Sequence, residues 1–315
     1  MAYRLVTRSD FDGLVCAALL EEIGLIDDIL FVHPKDMQDG KVQITERDIT
    51  TNLPYVEGAY RVFDHHMSEA LRVKPRHNHI IDPEAPSAAR VVWRHYGGSQ
   101  AFPRISEEMM AAVDKADSAQ YEVDEILDPQ GWTLLNFLMD ARTGLGRFRD
   151  FRVPNYQLMM QLIRACRELS VDEILELPDV AERVTLYREQ SEAFAAQLRR
   201  CARIEGSVVV LDLRDEEVIH AGNRFMIYAL YPQAKASVHV MWGREQRNTV
   251  LAVGKSIIDR SSPANIGELM LRFGGGGHRN AGTCQVEHEA ADAALDAIVA
   301  AINAAEYAAP ATLSH

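Results

Sequence analysis

A chain of 315 residues exceeds what one ordinary hydrophobic core supports, so we expect two domains. Its 47% hydrophobic and 25% charged residues are typical of a soluble globular protein. The formal net charge of -13 argues against a protein that coats duplex DNA, but it is compatible with a short nucleotide held in a local basic pocket.

The cysteines and the N-terminus indicate a cytoplasmic setting. The four cysteines are scattered and form no CxxC pair, which predicts reduced thiols. The opening stretch MAYRLVTRSD lacks the apolar segment of a secretion signal. No run approaches about 18 apolar residues, so we expect no membrane-spanning segment.

Short β-like segments alternate with helix-like ones over the first 100 residues. Strands are predicted at YRLVT (3–7), DILFVH (28–33), KVQIT (41–45) and YRVFD (60–64). Helices are predicted at GLVCAALLEEIG (13–24) and at SAARVVWRHYG (87–97), the second with a serine cap and a closing glycine. This alternation favours a parallel sheet covered by helices.

The rest of the chain is first helical and then rich in strands. Residues 104 to about 200 are mainly helical by pattern. Strands are then predicted at 206–213, 235–243 and 249–258, and a final helix at roughly 288–305. The sequence therefore predicts an α/β fold class, with an N-terminal parallel-sheet domain and helical connector over 1–185 and a smaller α+β domain over 186–315.

Acidic residues follow the predicted strands. In open parallel sheets, ligands bind outside the carboxyl ends of the strands. The SDFDG stretch after the first strand places Asp10 and Asp12 on one side of a loop, as oxygen ligands for Mn²⁺ or Mg²⁺. A helix N-cap with a spare acid is the alternative. Asp48 is predicted to follow the strand at 41–45, and a turn or cap residue is the alternative there.

The FDHH stretch sets Asp64, His65 and His66 side by side at the end of the strand 60–64. Two adjacent histidines behind an acid at a strand end favour a functional site over a surface or core role. VDKADSAQY adds Asp114 and Asp117 on one helix face, where solvated charge is the alternative. Several carboxylates and an imidazole suit two divalent ions that activate a water for attack on phosphorus.

Another distinctive motif is the glycine run in FGGGGHRNAGTCQV (273–286). Four consecutive glycines are costly to order, and they are tolerated where backbone amides must approach a ligand closely. With His278 and Arg279 beside them, they predict an anion pocket, whereas a flexible linker is the alternative. Further candidate contacts to a phosphate or base are Lys255, Arg260, Ser261, Asn223 and Arg224.

Together these motifs resemble the DHH phosphoesterase family with its DHH-associated C-terminal domain. SDFDG, RDITTNLP, FDHH and KADSAQY resemble the four motifs of the catalytic domain in order, and GGGGHRNAG resembles the glycine-rich signature of the C-terminal domain. The resemblance covers nearly the whole chain. More narrowly, the chain is similar to the nanoRNase and pAp-phosphatase group, whose members are often labelled exopolyphosphatase-like. The resemblance implies an active site in the cleft between the two domains.

The resemblance also implies roles for single residues. The implied Mn²⁺ ligands are Asp10, Asp12, Asp48, His65 and Asp117. Asp117 is preferred over Asp114 because ADSAQY resembles the family's Asp-Thr-Gly-x-aromatic pattern. The implied catalytic pair is His66, beside the scissile phosphate, and Asp64, which binds or orients a ligand. The implied substrate contacts are Gly275, Gly276, Gly277 and His278, with Arg279 as a helper, and the candidates Arg224 and Arg260 complete the predicted substrate-binding set.

One position departs from the family pattern. Val6 stands where many relatives have a histidine, four residues before the first Asp of D-x-D. The resemblance implies two metal ions, and Val6 leaves one of the two sites without an imidazole, which argues against full occupancy of that site. Manganese is the implied ion, with Mg²⁺ or Co²⁺ as substitutes.

The function implied by the resemblance is a metal-dependent phosphoesterase for short oligoribonucleotides or for 3′,5′-bisphosphonucleosides such as pAp. Exopolyphosphatase activity and hydrolysis of linear or cyclic dinucleotides are the alternatives within the enzyme class. A nucleotide-binding protein with little turnover is the alternative from another class. The expected partner is a small nucleotide or short single-stranded RNA, without membrane or duplex DNA, and a homodimer is implied by the family alone.

Overall fold

The computed structural model describes residues 2–147 and 150–308, and these form two compact units. The first unit contains the described residues of Met1–Gln120 and Pro129–Tyr187, and the second contains those of Tyr121–Asp128 and Arg188–His315. The predicted domain ranges 1–185 and 186–315 stay a prediction. The contacts add that the short segment Tyr121–Asp128 groups with the second unit.

Strands and helices alternate along the first part of the chain, and a run of helices follows them. This part forms β1 (Tyr3–Thr7), α1 (Phe11–Glu22), β2 (Ile26–Phe31), α2 (Pro34–Gln38), β3 (Asp48–Thr51), β4 (Arg61–Asp64), α3 (Met67–Arg72), β5 (His79–Ile81), α4 (Ala88–Tyr96), α5 (Glu107–Asp117), α6 (Val123–Leu127), α7 (Gly131–Met139), α8 (Asn155–Glu168) and α9 (Val171–Glu176). The remainder forms α10 (Pro178–Cys201), β6 (Ala202–Glu205), β7 (Val208–Asp212), α11 (Met226–Leu230), β8 (Ala236–Trp242), β9 (Thr249–Lys255), α12 (Ile266–Leu271), β10 (Gly276–His278), β11 (Ala281–Val286) and α13 (Ala291–Ala308).

The first unit is built on a five-stranded sheet in the order β2-β1-β3-β4-β5. All four strand pairs are parallel, which confirms the predicted α/β class. Helix α1 packs against α4, α5 and α8, and its residues 11–20 are all buried. Because the strands are parallel, β1, β3 and β4 end at one edge, after Thr7, Thr51 and Asp64. We call this the carboxyl edge.

The strand predicted at 41–45 is wrong, and the strand beside β1 is β3 instead. β1 is paired with β2 on one side and with β3 on the other, so neither of its sides is left for residues 41–45. Val42 and Ile44 pack their side chains against a buried cluster that includes Val6 and Leu53. Their alternating pattern therefore reflects side-chain burial without a backbone ladder.

The second unit contains a six-stranded sheet in the order β10-β11-β9-β8-β7-β6. β7 and β8 are parallel, and the other neighbours are antiparallel, as expected for the predicted α+β part. Alternate residues of β7, β8 and β9 face a core that α12 and α13 complete. This core includes Val208, Val210, Val238, Val240, Leu251 and Ile298.

Two further features of the described residues concern membrane-spanning helices and the cysteines. None of their helices has the length and apolar character needed to cross a bilayer. All four cysteines are free, and Cys16, Cys166 and Cys284 are buried. Burial raises the pKa of the Cys166 thiol to about 12, so this thiol stays protonated and unreactive at neutral pH.

Candidate active site

Three of the predicted ligands meet at the carboxyl edge. Asp12 lies in the first turn of α1, His65 directly follows β4, and Asp117 ends α5. Each of the three offers an oxygen or nitrogen atom, and these atoms lie within 4.8 Å of one another. Two carboxylates and an imidazole at this spacing fit a divalent ion such as Mn²⁺. We call this group the Asp12–His65–Asp117 cluster.

Asp12 is held by the start of α4. The backbone amides of Ala88 and Ala89 donate to its two carboxylate oxygens at 3.1 and 2.7 Å. The side chain is buried, and burial, followed by the nearby charge of Asp117, raises the pKa of Asp12 to about 7. A cation at this position would offset both effects and keep the carboxylate ionised.

His65 is oriented by a backbone carbonyl. Its Nδ1 lies 3.2 Å from the carbonyl oxygen of Ala85, so Nδ1–H donates there and Nε2 faces the cluster. Nε2 lies 2.9 Å from Asp117 Oδ2. Burial opposes protonation of His65, but the Asp117 carboxylate outweighs it and raises the pKa of His65 to about 9. A divalent ion bound at Nε2 would take the place of that proton.

Asp117, and not Asp114, contributes to the cluster. Asp114 accepts hydrogen bonds from Ser87 Oγ at 2.7 Å and from Arg90 Nε and Nη2 at 2.8 and 2.6 Å. These contacts tie α5 to α4. The structure thus gives Asp114 a partner for each carboxylate oxygen and leaves Asp117 beside His65.

Asp64 and His66 form a second hydrogen-bonded pair. Asp64 is fully buried, and its Oδ1 lies 2.7 Å from His66 Nδ1 and accepts from the amides of His65 and His66. His66 Nδ1–H therefore donates to Asp64, which leaves Nε2 as the other nitrogen of a side chain that is 41% exposed. Asp64 Oδ2 is buried and has no hydrogen-bond partner within residues 2–147 and 150–308. A buried acceptor without a partner is unusual in proteins, and a cation bound at this edge would provide its partner.

Asp10 lies at the same edge but has other partners. It is the N-cap of α1, where its Oδ1 accepts from the amide of Gly13 at 3.0 Å. Its Oδ2 lies 2.9 Å from Arg8 Nε. The loop is tight, because a Cβ at Gly13 would lie only 2.0 Å from the carbonyl oxygen of Arg8. The N-cap reading of Asp10 therefore describes its observed contacts.

Asp48 lies at the opposite end of the sheet, and its predicted position after a strand is wrong. It opens β3 and pairs in register with Arg4, three residues before the carboxyl edge, or about 10 Å away. Its buried carboxylate accepts from Arg4 Nε at 2.7 Å and from the amide and hydroxyl of Thr45 at 2.6 and 3.0 Å. Asp48 thus ties the starts of β1 and β3 together, and the structure does not bring it to the other predicted ligands.

Asn52 occupies the place that the sequence prediction assigns to Asp48. It directly follows β3 at the carboxyl edge, is buried, and has a φ of 54°. Within the described part of the chain, neither atom of its side-chain amide has a hydrogen-bond partner. A strand placed correctly at 48–51 would have pointed to this residue by the rule for parallel sheets.

In the second unit, the glycines of the GGGGH stretch have different roles. A Cβ at Gly275 would lie 2.2 Å from the carbonyl oxygen of Thr283, and one at Gly277 would lie 2.3 Å from that of Ala281. Both glycines therefore lie in tight backbone packing, where a side chain would clash. Gly276 differs, because no atom lies within 4 Å of its Cβ position and its φ is not positive.

Positive charge lies next to this hairpin. His278 and Arg279 are exposed, and the amide of Asn280 donates to His278 Nδ1 at 3.3 Å. Lys255 donates to the carbonyl oxygen of Ser262 at 2.9 Å. Partial burial, followed by the charge of Arg279, lowers the pKa of Lys255, so the two cations are neighbours. An anion bound between them would relieve this repulsion.

The other predicted substrate contacts differ in exposure, since Asn223 is buried and Arg260 is exposed. Asn223 is buried and bridges the carbonyl of Ile126 and the amide of Phe225, which gives it a structural role. The guanidinium of Arg224 lies 4.0 Å from the ring centroid of Phe225, and Arg260 Nε donates to the carbonyl of Ile257 at 3.0 Å.

Comparison with known proteins identifies the family. A scan against family models gives no match, and neither does a search of curated proteins. Among solved structures, the chain is 64% identical to the pGpG-specific phosphodiesterase PggH from Vibrio cholerae, over 96% of this chain and 99% of that one, with a TM-score of 0.86.

Two more distant structures share the fold. One is an exopolyphosphatase-related protein from Bacteroides fragilis, at 14% identity over 95% of this chain and 92% of that one, with a TM-score of 0.51. The other is RecJ from Thermus thermophilus in complex with Mn²⁺, at 15% identity over 95% of this chain and 52% of that one, with a TM-score of 0.53. The chain therefore belongs to the DHH phosphoesterase family and is a hydrolase that acts on phosphate esters.

Proposed function

We propose that the protein hydrolyses the phosphodiester bond of a short linear dinucleotide of the pGpG type. The observation that carries this proposal is the 64% identity to a pGpG-specific phosphodiesterase, over 99% of that chain. Water would add to the internal phosphorus and the P–O3′ bond would break, so that one pGpG yields two GMP. The motifs alone favour short oligoribonucleotides and pAp, and these are the competing substrates.

The residues at the carboxyl edge fit a divalent ion. Asp12, His65 and Asp117 would hold it, since their ligand atoms lie within 4.8 Å of one another. The buried, unpartnered Asp64 Oδ2 supports a cation at this edge. When bound, Mn²⁺ or Mg²⁺ would supply a water of lowered pKa and would polarise the phosphoryl oxygens.

His66 is the proposed proton carrier. Asp64 Oδ1, 2.7 Å from His66 Nδ1, fixes which nitrogen carries the permanent proton. Nε2 of this partly exposed side chain would then give a proton to the leaving O3′ oxygen of the first nucleoside. Without that proton, an alkoxide would have to leave, which is much slower at neutral pH.

The second unit contains a candidate anion site of its own. Gly276 belongs to the exposed strand β10 of the hairpin β10–β11, and the neighbouring cations Lys255 and Arg279 lie at the turn of this hairpin. An exposed glycine-rich strand with neighbouring cations suits a terminal phosphate, which a linear dinucleotide carries and a cyclic one lacks. This supports the choice of a linear substrate.

The test is a comparison of substrates with purified protein and MnCl₂. Initial rates are measured by chromatography for pGpG, cyclic di-GMP, a tetraribonucleotide, pAp and polyphosphate. We expect pGpG to have at least a tenfold higher kcat/KM than any other substrate, with GMP as the sole product. A preference for pAp or polyphosphate would refute the proposed substrate. Binding of pGpG without turnover would favour the non-catalytic alternative.

A further inference from the structure

Arg8 lies in the loop between β1 and α1, and its contacts connect it to the active-site acids. Its Nε lies 2.9 Å from Asp10 Oδ2, and 31% of its side chain is exposed. The other oxygen of Asp10 accepts from the amide of Gly13. Both carboxylate oxygens of Asp10 are therefore engaged, and the result is an oriented, partly exposed guanidinium at the carboxyl edge.

A second guanidinium, that of Arg142, lies near the same acids. Its Nε donates to Asp140 Oδ1 at 2.7 Å, and 57% of its side chain is exposed. Although partial burial acts against it, the charges of Asp140, Asp10 and Asp117 raise the pKa of Arg142. The neighbourhood of Asp10 and Asp117 thus contains fixed positive charge from two arginines.

Ligands for a second divalent ion are few at this edge. Divalent cations of this kind need several oxygen or nitrogen ligands. Val6 is apolar and packs in the core, and Asp48 lies at the other end of β3. Asn52 offers one uncharged oxygen, Asp64 offers its one unpartnered oxygen, Oδ2, and Asp10 is shared with Arg8. Among residues 2–147 and 150–308, the Asp12–His65–Asp117 cluster is the one group of three or more His, Cys, Asp or Glu side chains close enough to bind a metal.

We infer that the site takes one divalent ion, at Asp12, His65 and Asp117, and that Arg8, held by Asp10, supplies the second positive charge to the substrate's phosphate. A guanidinium is always charged and donates two parallel hydrogen bonds to phosphate oxygens, so it can replace a cation in this role. The contact of Arg8 with a dinucleotide phosphate rests on the proposed function, whereas the number of ions does not.

The number of ions is tested by titrating Mn²⁺ into chelator-treated full-length protein, and by elemental analysis after dialysis against Mn²⁺. We expect one ion per chain. Asp12→Asn should lower the affinity at least tenfold, whereas Asp10→Asn and Arg8→Ala should leave both affinity and number unchanged. Asn52→Asp, which adds a carboxylate, should create a second site. Two ions in the wild-type chain, or equal losses in Asp10→Asn and Asp12→Asn, would overturn the inference.

The role of Arg8 is tested by steady-state kinetics with pGpG. We expect Arg8→Ala to raise KM about tenfold, Arg8→Lys to recover part of this loss, and both variants to keep one ion. Arg104→Ala is the matched control, because Arg104 also pairs with a carboxylate, that of Glu22, at 3.1 Å, and 51% of its side chain is exposed. An unchanged KM in Arg8→Ala would overturn the assignment.

The two proposals fail in different ways. If the wild-type protein does not hydrolyse pGpG, the proposed substrate is wrong, but the Mn²⁺ count still decides the single-ion inference. Arg8 is then tested with inorganic phosphate as the probe, by its inhibition of bis-p-nitrophenyl phosphate hydrolysis. We expect Arg8→Ala to raise that inhibition constant about tenfold, and an unchanged constant would refute the contact.

Discussion

The substitution Gly276→Ala separates ligand access from packing in β10. No atom lies within 4 Å of the Cβ position at residue 276, and its φ is not in the left-handed region. The folded state therefore accepts a methyl group without a clash. We expect the free energy of unfolding to change by no more than about 1 kcal/mol, with a small gain because alanine restricts the unfolded chain.

Gly275→Ala and Gly277→Ala are the matched controls. The added Cβ would lie 2.2 Å from the carbonyl oxygen of Thr283 in the first variant and 2.3 Å from that of Ala281 in the second. Both obstacles are backbone atoms, which cannot rotate away. We expect each variant to lose about 1–3 kcal/mol of stability, the usual cost of forcing extra volume into a packed site.

The assay combines thermal unfolding with hydrolysis of pGpG. If the exposed backbone at Gly276 approaches a substrate phosphate, the methyl of Gly276→Ala should raise KM about tenfold, which corresponds to about 1.4 kcal/mol of binding free energy. The melting temperature should stay near that of the wild type. A wild-type KM in Gly276→Ala, together with destabilised controls, would show that the glycines serve packing alone and would refute the anion pocket.

Three other variants test the remaining site residues and the acid response of the fold. His66→Gln should lower kcat about 10²–10⁴-fold in the pGpG assay while Mn²⁺ binding by calorimetry is kept, since it removes only the proton carrier. Asp48→Asn should keep kcat but lose about 1–3 kcal/mol in urea unfolding, because its carboxylate bonds to Arg4 and Thr45 are weakened. Burial lowers the pKa of His239 to about 4, below the unfolded value of about 6.5, so the unfolded state binds more protons between these values. Stability should therefore fall by up to about 3 kcal/mol as the pH drops from 6.5 to 4, and an equally steep fall in His239→Gln would contradict this.

Local chemistry makes the helices of the first unit predictable. The helix predicted at 87–97 is α4, where Ser87 Oγ accepts from the amide of Arg90 and Gly97 adopts a φ of 108°. Such caps act through neighbouring residues, so they can be recognised without knowing the rest of the fold. Sheet pairing is harder to predict from the sequence, because it depends on which distant segment lies beside each strand and in which register.

The strand predicted at 41–45 shows how such pairing misleads a prediction made from sequence. Val42 and Ile44 alternate like strand residues, yet both sides of β1 are occupied by β2 and β3. The error moves the end of the strand by several residues. As a result, the prediction places Asp48 in the active site, although its partner Arg4 lies near the start of β1.

The backbone groups that orient the site are also out of reach of sequence reasoning. The segment 82–90 contains none of the site residues predicted from the sequence. Yet the carbonyl of Ala85 selects the free nitrogen of His65, and the amides of Ala88 and Ala89 hold Asp12. Any small residue could offer these groups, so the side-chain identities carry no signal.

The assignment of metal ligands therefore depends on strand register as well as on motif. An acidic residue near a motif can bind the metal only if it lies at the end of its strand, at the same edge of the sheet as the other ligands. On β3 that position belongs to Asn52 rather than to Asp48. An amide there provides an oxygen without a charge, while Asp10 gives one of its oxygens to Arg8. Both features weaken the case for a second ion and leave Asp12 in the one complete cluster among the described residues. Two chains with the same motifs would therefore differ in the number of bound ions if different residues lie at the ends of their strands. This difference is visible only when the strands are placed in the correct register.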